Sequence, residues 1–180
     1  MNTKLKQIVK ACKKGDPKAQ RELYDLHKGK MFVLCQRYAN NREDAEDILQ
    51  EGFIAVFKCL DQYREDGPLG AWVRKVILNA ALQYIRKQKH QLVKMEENEI
   101  EYLLNKSIDY SPSESREQEL IKLIQKLPLG FRTVFNLYIL EGYTHQQIAD
   151  ELNISVGTSK SQLNRAKAHY KKLLAQNLTT

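Results

Sequence analysis

Apolar residues recur along this chain at the three-and-four spacing of amphipathic helices, almost from end to end. No segment alternates apolar and polar positions for long enough to make a strand. In "NREDAEDILQEGFIAVFKCLDQY", residues 41–63, the side chains of Ala45, Ile48, Leu49, Phe53, Val56, Phe57 and Leu60 fall on one wide stripe. In residues 67–91, Trp72, Val76, Leu82 and Ile85 predict the inner face of another helix. Strong Gly/Pro punctuation before residue 95 occurs only at "KKGDPKAQ" and "REDGPLGAW". In the first of these, Asp16 can cap a helix that opens on Pro17. Residues 96–113 are acidic, end in a Ser-Pro turn and read as a tether. Helical spacing resumes through Leu120, Leu123, Ile124 and Leu127 until Pro128 and Gly130 stop it. The expected fold is all-α. It comprises an N-terminal helical bundle (residues 1–95), an acidic linker (96–119) and a C-terminal helix-turn-helix domain (120–180).

The C-terminal pattern is the most explicit. Val134, Phe135, Tyr138 and Ile139 mark one helix, ending near Gly142. Thr144 with Gln147 three residues on has the spacing of a capping box. Ile148, Ala149 and Leu152 follow as an inner face. Asn153 stands where a left-handed turn is needed, and Ser155 can cap the next helix. That helix has Val156, Leu163, Ala166, Tyr170 and Leu173 as its expected buried stripe. Its outer face carries Thr158, Lys160, Ser161, Gln162, Asn164, Arg165 and Lys167, then Lys171 and Lys172, with no acid among them. A helix-turn-helix places such a face in the major groove. Gln162 or Asn164 suits adenine and Lys160 suits guanine, while the later cations suit phosphates. The bland reading is a helical hairpin with a solvated basic face.

Charge sharpens the picture. Residues 1–95 hold 19 Lys and Arg against 11 Asp and Glu, residues 96–119 hold 2 against 8, and residues 120–180 hold 8 against 3. Two basic blocks around an acidic one point to a polyanionic partner. The scattered Cys12, Cys35 and Cys59 suit a reducing cytoplasm rather than a disulfide or zinc framework. A charged N-terminus without an apolar core is unlike a secretory signal, and no apolar run is long enough to span a membrane. The histidines are dispersed and no Gly-rich phosphate loop or nucleophile elbow occurs. An enzyme, a metal site, a cofactor and a small-molecule substrate are therefore not expected.

One segment resists the DNA reading. Glu43, Asp44, Glu46, Asp47 and Glu51 crowd the start of the 41–63 helix, with Gln50 among them. Acids there complement the helix dipole, but so many within a basic block would repel DNA. A face for a basic protein surface is the sharper reading.

"DAEDILQEGF" resembles the core-binding helix of bacterial sigma factors, and "NISVGTSKSQLNRAK" is similar to their promoter-reading helix. The short two-domain layout resembles the extracytoplasmic-function (ECF) group. The resemblance implies that Asp47, Gln50 and Glu51, with Asp44, bind a coiled coil on the largest subunit of core RNA polymerase. The C-terminal domain would meet the flap of the other large subunit and read the upstream (−35) promoter element. The helix of residues 67–91 would hold the downstream (−10) element as a single strand. Asn79 would contact a base, Arg74, Lys75, Arg86 and Lys87 would face the DNA, and Arg86, Lys87 and Lys89 would mostly clamp its backbone. Loop residues 64–69 would line part of a base pocket. The linker is either a solvated tether or a nucleic-acid mimic inside the polymerase channel. Ser159 stands where the family commonly has a small apolar residue, and Gln162 replaces a frequent Arg, so a borrowed promoter sequence does not transfer. A separate anti-sigma protein is a candidate regulator. The competing expectation is a stand-alone helix-turn-helix regulator, binding duplex DNA by itself as a symmetric dimer.

Overall fold

The computed structural model describes residues 3–92 and 116–177, and every regular element among them is helical. They fall into two compact units, Met1–Tyr84 and Ile85–Thr180. Most of the residues expected to form the linker lie outside the described part, although its last four, 116–119, are already helical.

The first unit contains α1 (Thr3–Lys13), α2 (Pro17–Tyr38), α3 (Arg42–Cys59), a 3-10 turn (Leu60–Gln62) and most of α4 (Leu69–Leu92). Local chemistry fixes the joints. Gly15 takes a left-handed φ of 80° after α1. Asp16 then caps α2, its carboxylate accepting from the Lys18 N–H at 2.8 Å and the Ala19 N–H at 3.2 Å, with Pro17 first in the helix. Asn41 caps α3 by accepting from the Asp44 N–H at 2.7 Å.

The buried stripe of α3 is Ala45, Ile48, Leu49, Gly52, Phe53 and Val56, close to that expected, with Phe57 only half-buried. Along α4 the expected Leu82 and Ile85 are buried, but the first two positions of the expected face are displaced by one residue, to Val73 and Ile77. Leu69, Val73, Ile77, Leu78, Ala81, Leu82 and Ile85 are buried, whereas Trp72 and Val76 sit half-buried at the margin. Gly52 brings α3 close to α4, since a Cβ there would lie 2.5 Å from Ile77 Cδ1. Fully buried Leu23, Leu34, Tyr38 and Leu60 complete the core. Each such side chain contributes about 1.5–3 kcal/mol on leaving water.

The second unit contains α5 (Arg116–Gln125), α6 (Leu129–Phe135), a π-turn (Asn136–Leu140), α7 (His145–Leu152) and α8 (Val156–Asn177). Buried Arg132 donates from Nη1 to the Gln125 carbonyl at 3.0 Å, satisfying the end of α5. The expected helix through Ile139 instead widens into the π-turn, where the Glu141 N–H donates to the Asn136 carbonyl five residues back. Each residue then advances less around the axis. Tyr138, Ile139 and Leu140 are consequently turned outward, with 37%, 45% and 39% exposure, rather than joining Val134 and Phe135 in the core.

The expected helix-turn-helix joint is present in detail. Thr144 and Gln147 form a reciprocal capping box. Asn153 ends α7 at φ 51°, and Ser155 Oγ accepts from the Thr158 N–H at 2.9 Å to start α8. Leu163, Ala166 and Leu173 are buried as expected, with Val156 and Tyr170 half-buried. Ser159, three residues after Val156 and four before Leu163, is buried on the same stripe, although its polar side chain kept it out of the expected apolar set.

Candidate polymerase and nucleic-acid interfaces

On α3 the residues opposite the core are Asp47, Gln50 and Glu51, all exposed and adjacent by helical spacing. Ile54, one turn beyond Gln50, extends this face and is 48% exposed. Glu46 is also exposed but accepts from Arg42 Nε at 2.8 Å. Asp44 is different. Its half-buried carboxylate accepts the Tyr84 hydroxyl at 2.6 Å, which ties the start of α3 to α4.

Beside this face lies a groove between α2 and α3 of about 660 Å³, lined mainly by Tyr24, Phe32, Leu49, Phe53, Ile54 and Phe57, with Gln50 at its rim. Phe53 sits edge-on to Tyr24, with ring centroids 4.7 Å apart. Sequence reading assigned Leu49, Phe53 and Phe57 to the stripe, left Ile54 out of it and missed the groove. Ile54, an apolar residue on the polar side, was the available signal.

The exposed positions of α4 include Lys75, Asn79, Gln83 and Lys87, which continue one ridge at i, i+4 spacing, and Arg86 beside it. At 1.5 Å per residue, Lys75 and Lys87 stand about 18 Å apart along the axis. Arg74 is half-buried on the flank. Arg86 falls within the second unit, where its guanidinium donates to the Glu151 carbonyl at 3.0 Å and to the Glu151 carboxylate. An exposed pair of this kind contributes little to stability.

In the loop before α4, Arg64, Glu65, Asp66, Gly67 and Pro68 are exposed, and Leu69, the first residue of α4, is buried. Tyr63 braces the loop from below, donating its hydroxyl to the Gly67 carbonyl at 2.6 Å while its ring meets Trp72 at 5.6 Å. Burial, then Glu65 and Asp66, hold the Tyr63 phenol above its ordinary pKa. Glu65 itself is left-handed at φ 61° and pairs with Lys6 at 3.4 Å. Tyr63 and Tyr84 are therefore engaged structurally rather than presented as open stacking surfaces.

On α8, Lys160, Ser161, Asn164, Arg165 and Lys167 are exposed. Thr158 is half-buried, its hydroxyl 2.8 Å from the Ser155 cap, and Ser161 Oγ donates back to the Thr158 carbonyl at 3.0 Å. Gln162 is half-buried on a flank, where its amide lies against Gly130. The structure thus gathers most of the expected reading residues on one acid-free outer face and sets Gln162 beside it. On the same flank the His169 ring stacks on Phe131. Burial, then Lys172 and Arg165, lower its pKa.

Among the described residues, no cluster of three or more His, Cys, Asp or Glu could hold a metal ion. No described helix is long and apolar enough to cross a membrane.

Comparison with known proteins accounts for both units. Residues 23–91 match the family model for sigma-70 region 2, and residues 117–169 match that for sigma-70 region 4. The chain is 30% identical to the ECF RNA polymerase sigma factor SigW of Bacillus subtilis, over 97% of this chain and 98% of that one. It is 27% identical to the ECF sigma-E factor of Haemophilus influenzae, over 89% of each. Among solved structures it is similar in fold to the sigma factor RpoE of Bartonella quintana, determined with the anti-sigma factor NepR. That match has a TM-score of 0.51 at 19% identity and covers 86% of this chain and 96% of that one. With region 2 and region 4 in order and a relative aligned from end to end, the chain belongs to the ECF RNA polymerase sigma factors, which direct RNA polymerase to promoters and are initiation factors rather than enzymes.

Proposed function

We propose that the exposed α3 face of Asp47, Gln50 and Glu51 docks on a coiled coil of the largest polymerase subunit. The observation that carries this reading is the placement of those side chains on the outer face of a helix whose other side is core. Asp44 contributes chiefly by holding α4 through Tyr84. Residues 1–95 then act as the polymerase-binding and downstream-element domain, with Lys75, Asn79, Arg86 and Lys87 along the DNA and Arg74 at its edge. Residues 120–180 meet the flap of the second large subunit and read the upstream element with α8. The outward Tyr138, Ile139 and Leu140 supply apolar surface suited to the flap contact. Residues 96–119 tether the two domains, and the protein works in the cytoplasm beside polymerase. An anti-sigma protein of the kind bound to the RpoE relative is a further proposed partner. An occupant of the apolar groove would lie against Gln50 and mask the polymerase contact.

The test is a native pull-down of core RNA polymerase by the purified protein, beside a variant carrying Asp47→Lys and Glu51→Lys, followed by run-off transcription. Binding by the wild type and loss in the variant are expected. Wild-type protein that ignores polymerase yet binds duplex DNA tightly by itself would instead mark a stand-alone regulator.

A further inference from the structure

Ser159 lies fully buried on the inner stripe of α8, between Val156 and Leu163 by helical spacing. Burying a hydroxyl is unfavourable unless it finds a partner. Its oxygen is 3.0 Å from Nδ1 of His145, the first residue of α7. With a neutral imidazole protonated at Nε2, the hydroxyl donates to Nδ1. The His145 ring stacks on Tyr138, with centroids 4.5 Å apart and planes at 27°. The Lys167 ammonium lies 5.8 Å from the Tyr138 ring centroid. Tyr138 reaches this place because the π-turn directs it outward. Residues from the π-turn, α7 and α8 thus form one cluster along the flank of the recognition helix.

A buried hydrogen bond adds to the packing of α7 on α8 a directional constraint that apolar contacts lack, since it prefers angles above about 150°. The outer side chains of α8 stand about 5–6 Å from the helix axis, so a rotation of about 10° moves them by about 1 Å. Displacements of that size matter to bidentate contacts with base edges.

We infer that His145 is a positioning residue for promoter reading. Through Ser159 it fixes the rotational setting in which α8 presents Asn164 and Arg165, and through Tyr138 it seats Lys167. It sets which upstream-element bases are accepted without touching them. This rests on the proposed reading of the upstream element by α8.

The experiment selects from a pool of promoter duplexes randomised across the upstream element, using holoenzyme rebuilt from core polymerase and the full chain. His145→Phe keeps the stack on Tyr138 and removes the acceptor. His145→Asn returns an acceptor near the place of Nδ1. His145→Phe with Ser159→Ala also removes the stranded hydroxyl. The wild type is expected to enrich a defined set of sequences, and His145→Phe to alter preference at one or more positions by about tenfold. His145→Asn should move preference back towards wild type. The double variant should recover thermal stability but not preference. A double variant with both wild-type stability and wild-type preference would show the pair to be packing only and overturn the inference. Should His145→Phe not fold, Ser159→Ala alone carries the test, with altered preference expected and unaltered preference overturning it. Wild-type holoenzyme that enriches nothing would overturn the sigma reading of α8, and this inference with it.

Discussion

The hydroxyl of Tyr84 donates to the carboxylate of Asp44 at 2.6 Å across 40 residues of sequence, and Asn40 Nδ2 donates to the same hydroxyl at 3.2 Å. One phenol therefore joins the first turn of the acidic helix to the basic ridge of α4. Tyr84→Phe should lower stability by about 1–2 kcal/mol, the contribution of a part-buried hydrogen bond to a charged group. Urea unfolding measures it, and an unchanged midpoint would make the bond incidental.

Gly52 and Ile77 form a tight crossing of α3 and α4. A Cβ at residue 52 would lie 2.5 Å from Ile77 Cδ1 and 3.4 Å from its Cα. Gly52→Ala gains about 1 kcal/mol in helix propensity but overpacks a site where such insertions cost about 1–3 kcal/mol. Ile77→Val removes the clashing methyl. In a double-mutant cycle it should be less destabilising on the Gly52→Ala background than on the wild type, by about 0.5–1.5 kcal/mol. Additive effects would exclude the clash.

Asn153 turns the helix-turn-helix at φ 51°. Asn153→Ala should destabilise the fold by about 1 kcal/mol, and Asn153→Gly should be close to neutral. Thermal unfolding of the two variants decides it, since equal losses would implicate the Asn side chain instead of the backbone.

Lys167, Lys171 and Lys172 are exposed on an acid-free helix. Replacing Lys171 and Lys172 together by Ala should weaken holoenzyme binding about equally across upstream sequences. It should also flatten the salt dependence by about one unit of slope for each lost phosphate contact. Asn164→Ala should relax base preference while leaving that slope unchanged. Binding titrations at several salt concentrations separate the two behaviours.

Burial pushes the Cys35 thiol up to about 12, and burial, followed by the nearby Asp16 carboxylate, pushes Cys12 to about 11, from the ordinary 9.0. Below pH 9.0 these thiols hold their protons in both folded and unfolded chains. Above it the unfolded thiols ionise first, so stability should fall until the native thiols titrate near 11 to 12. Buried Tyr63 and the partly buried Tyr143 and Tyr170 act in the same direction from pH 10.0. Unfolding midpoints followed through this window should fall less steeply for Cys35→Ala than for the wild type.

Much of this protein was legible in its sequence because it depends on neighbours in the chain. Asp16 before Pro17, Thr144 with Gln147, and Asn153 between two helices act within a few residues, and the structure shows each in the expected geometry. The apolar stripe of α3 and the acid-free outer face of α8 also follow from spacing alone, since a regular helix turns every residue by the same angle. Where the turn is not regular, that inference fails. The π-turn at Asn136–Leu140 interrupts the expected helix and turns Tyr138 and Ile139 outward. In the first turns of α4, Val73 and Ile77 take the core in place of Trp72 and Val76, while Leu82 and Ile85 keep the expected face.

Composition and periodicity therefore determined an all-helical chain with an acidic face and a basic reading helix. Tertiary structure alone decided that Asp44 belongs to Tyr84, that an apolar groove opens beside Gln50, and that a buried serine answers a histidine on the preceding helix. The physical reason is common to all three. A polar or aromatic side chain takes its role from the group packed against it, and that group is brought near by the fold rather than by sequence spacing.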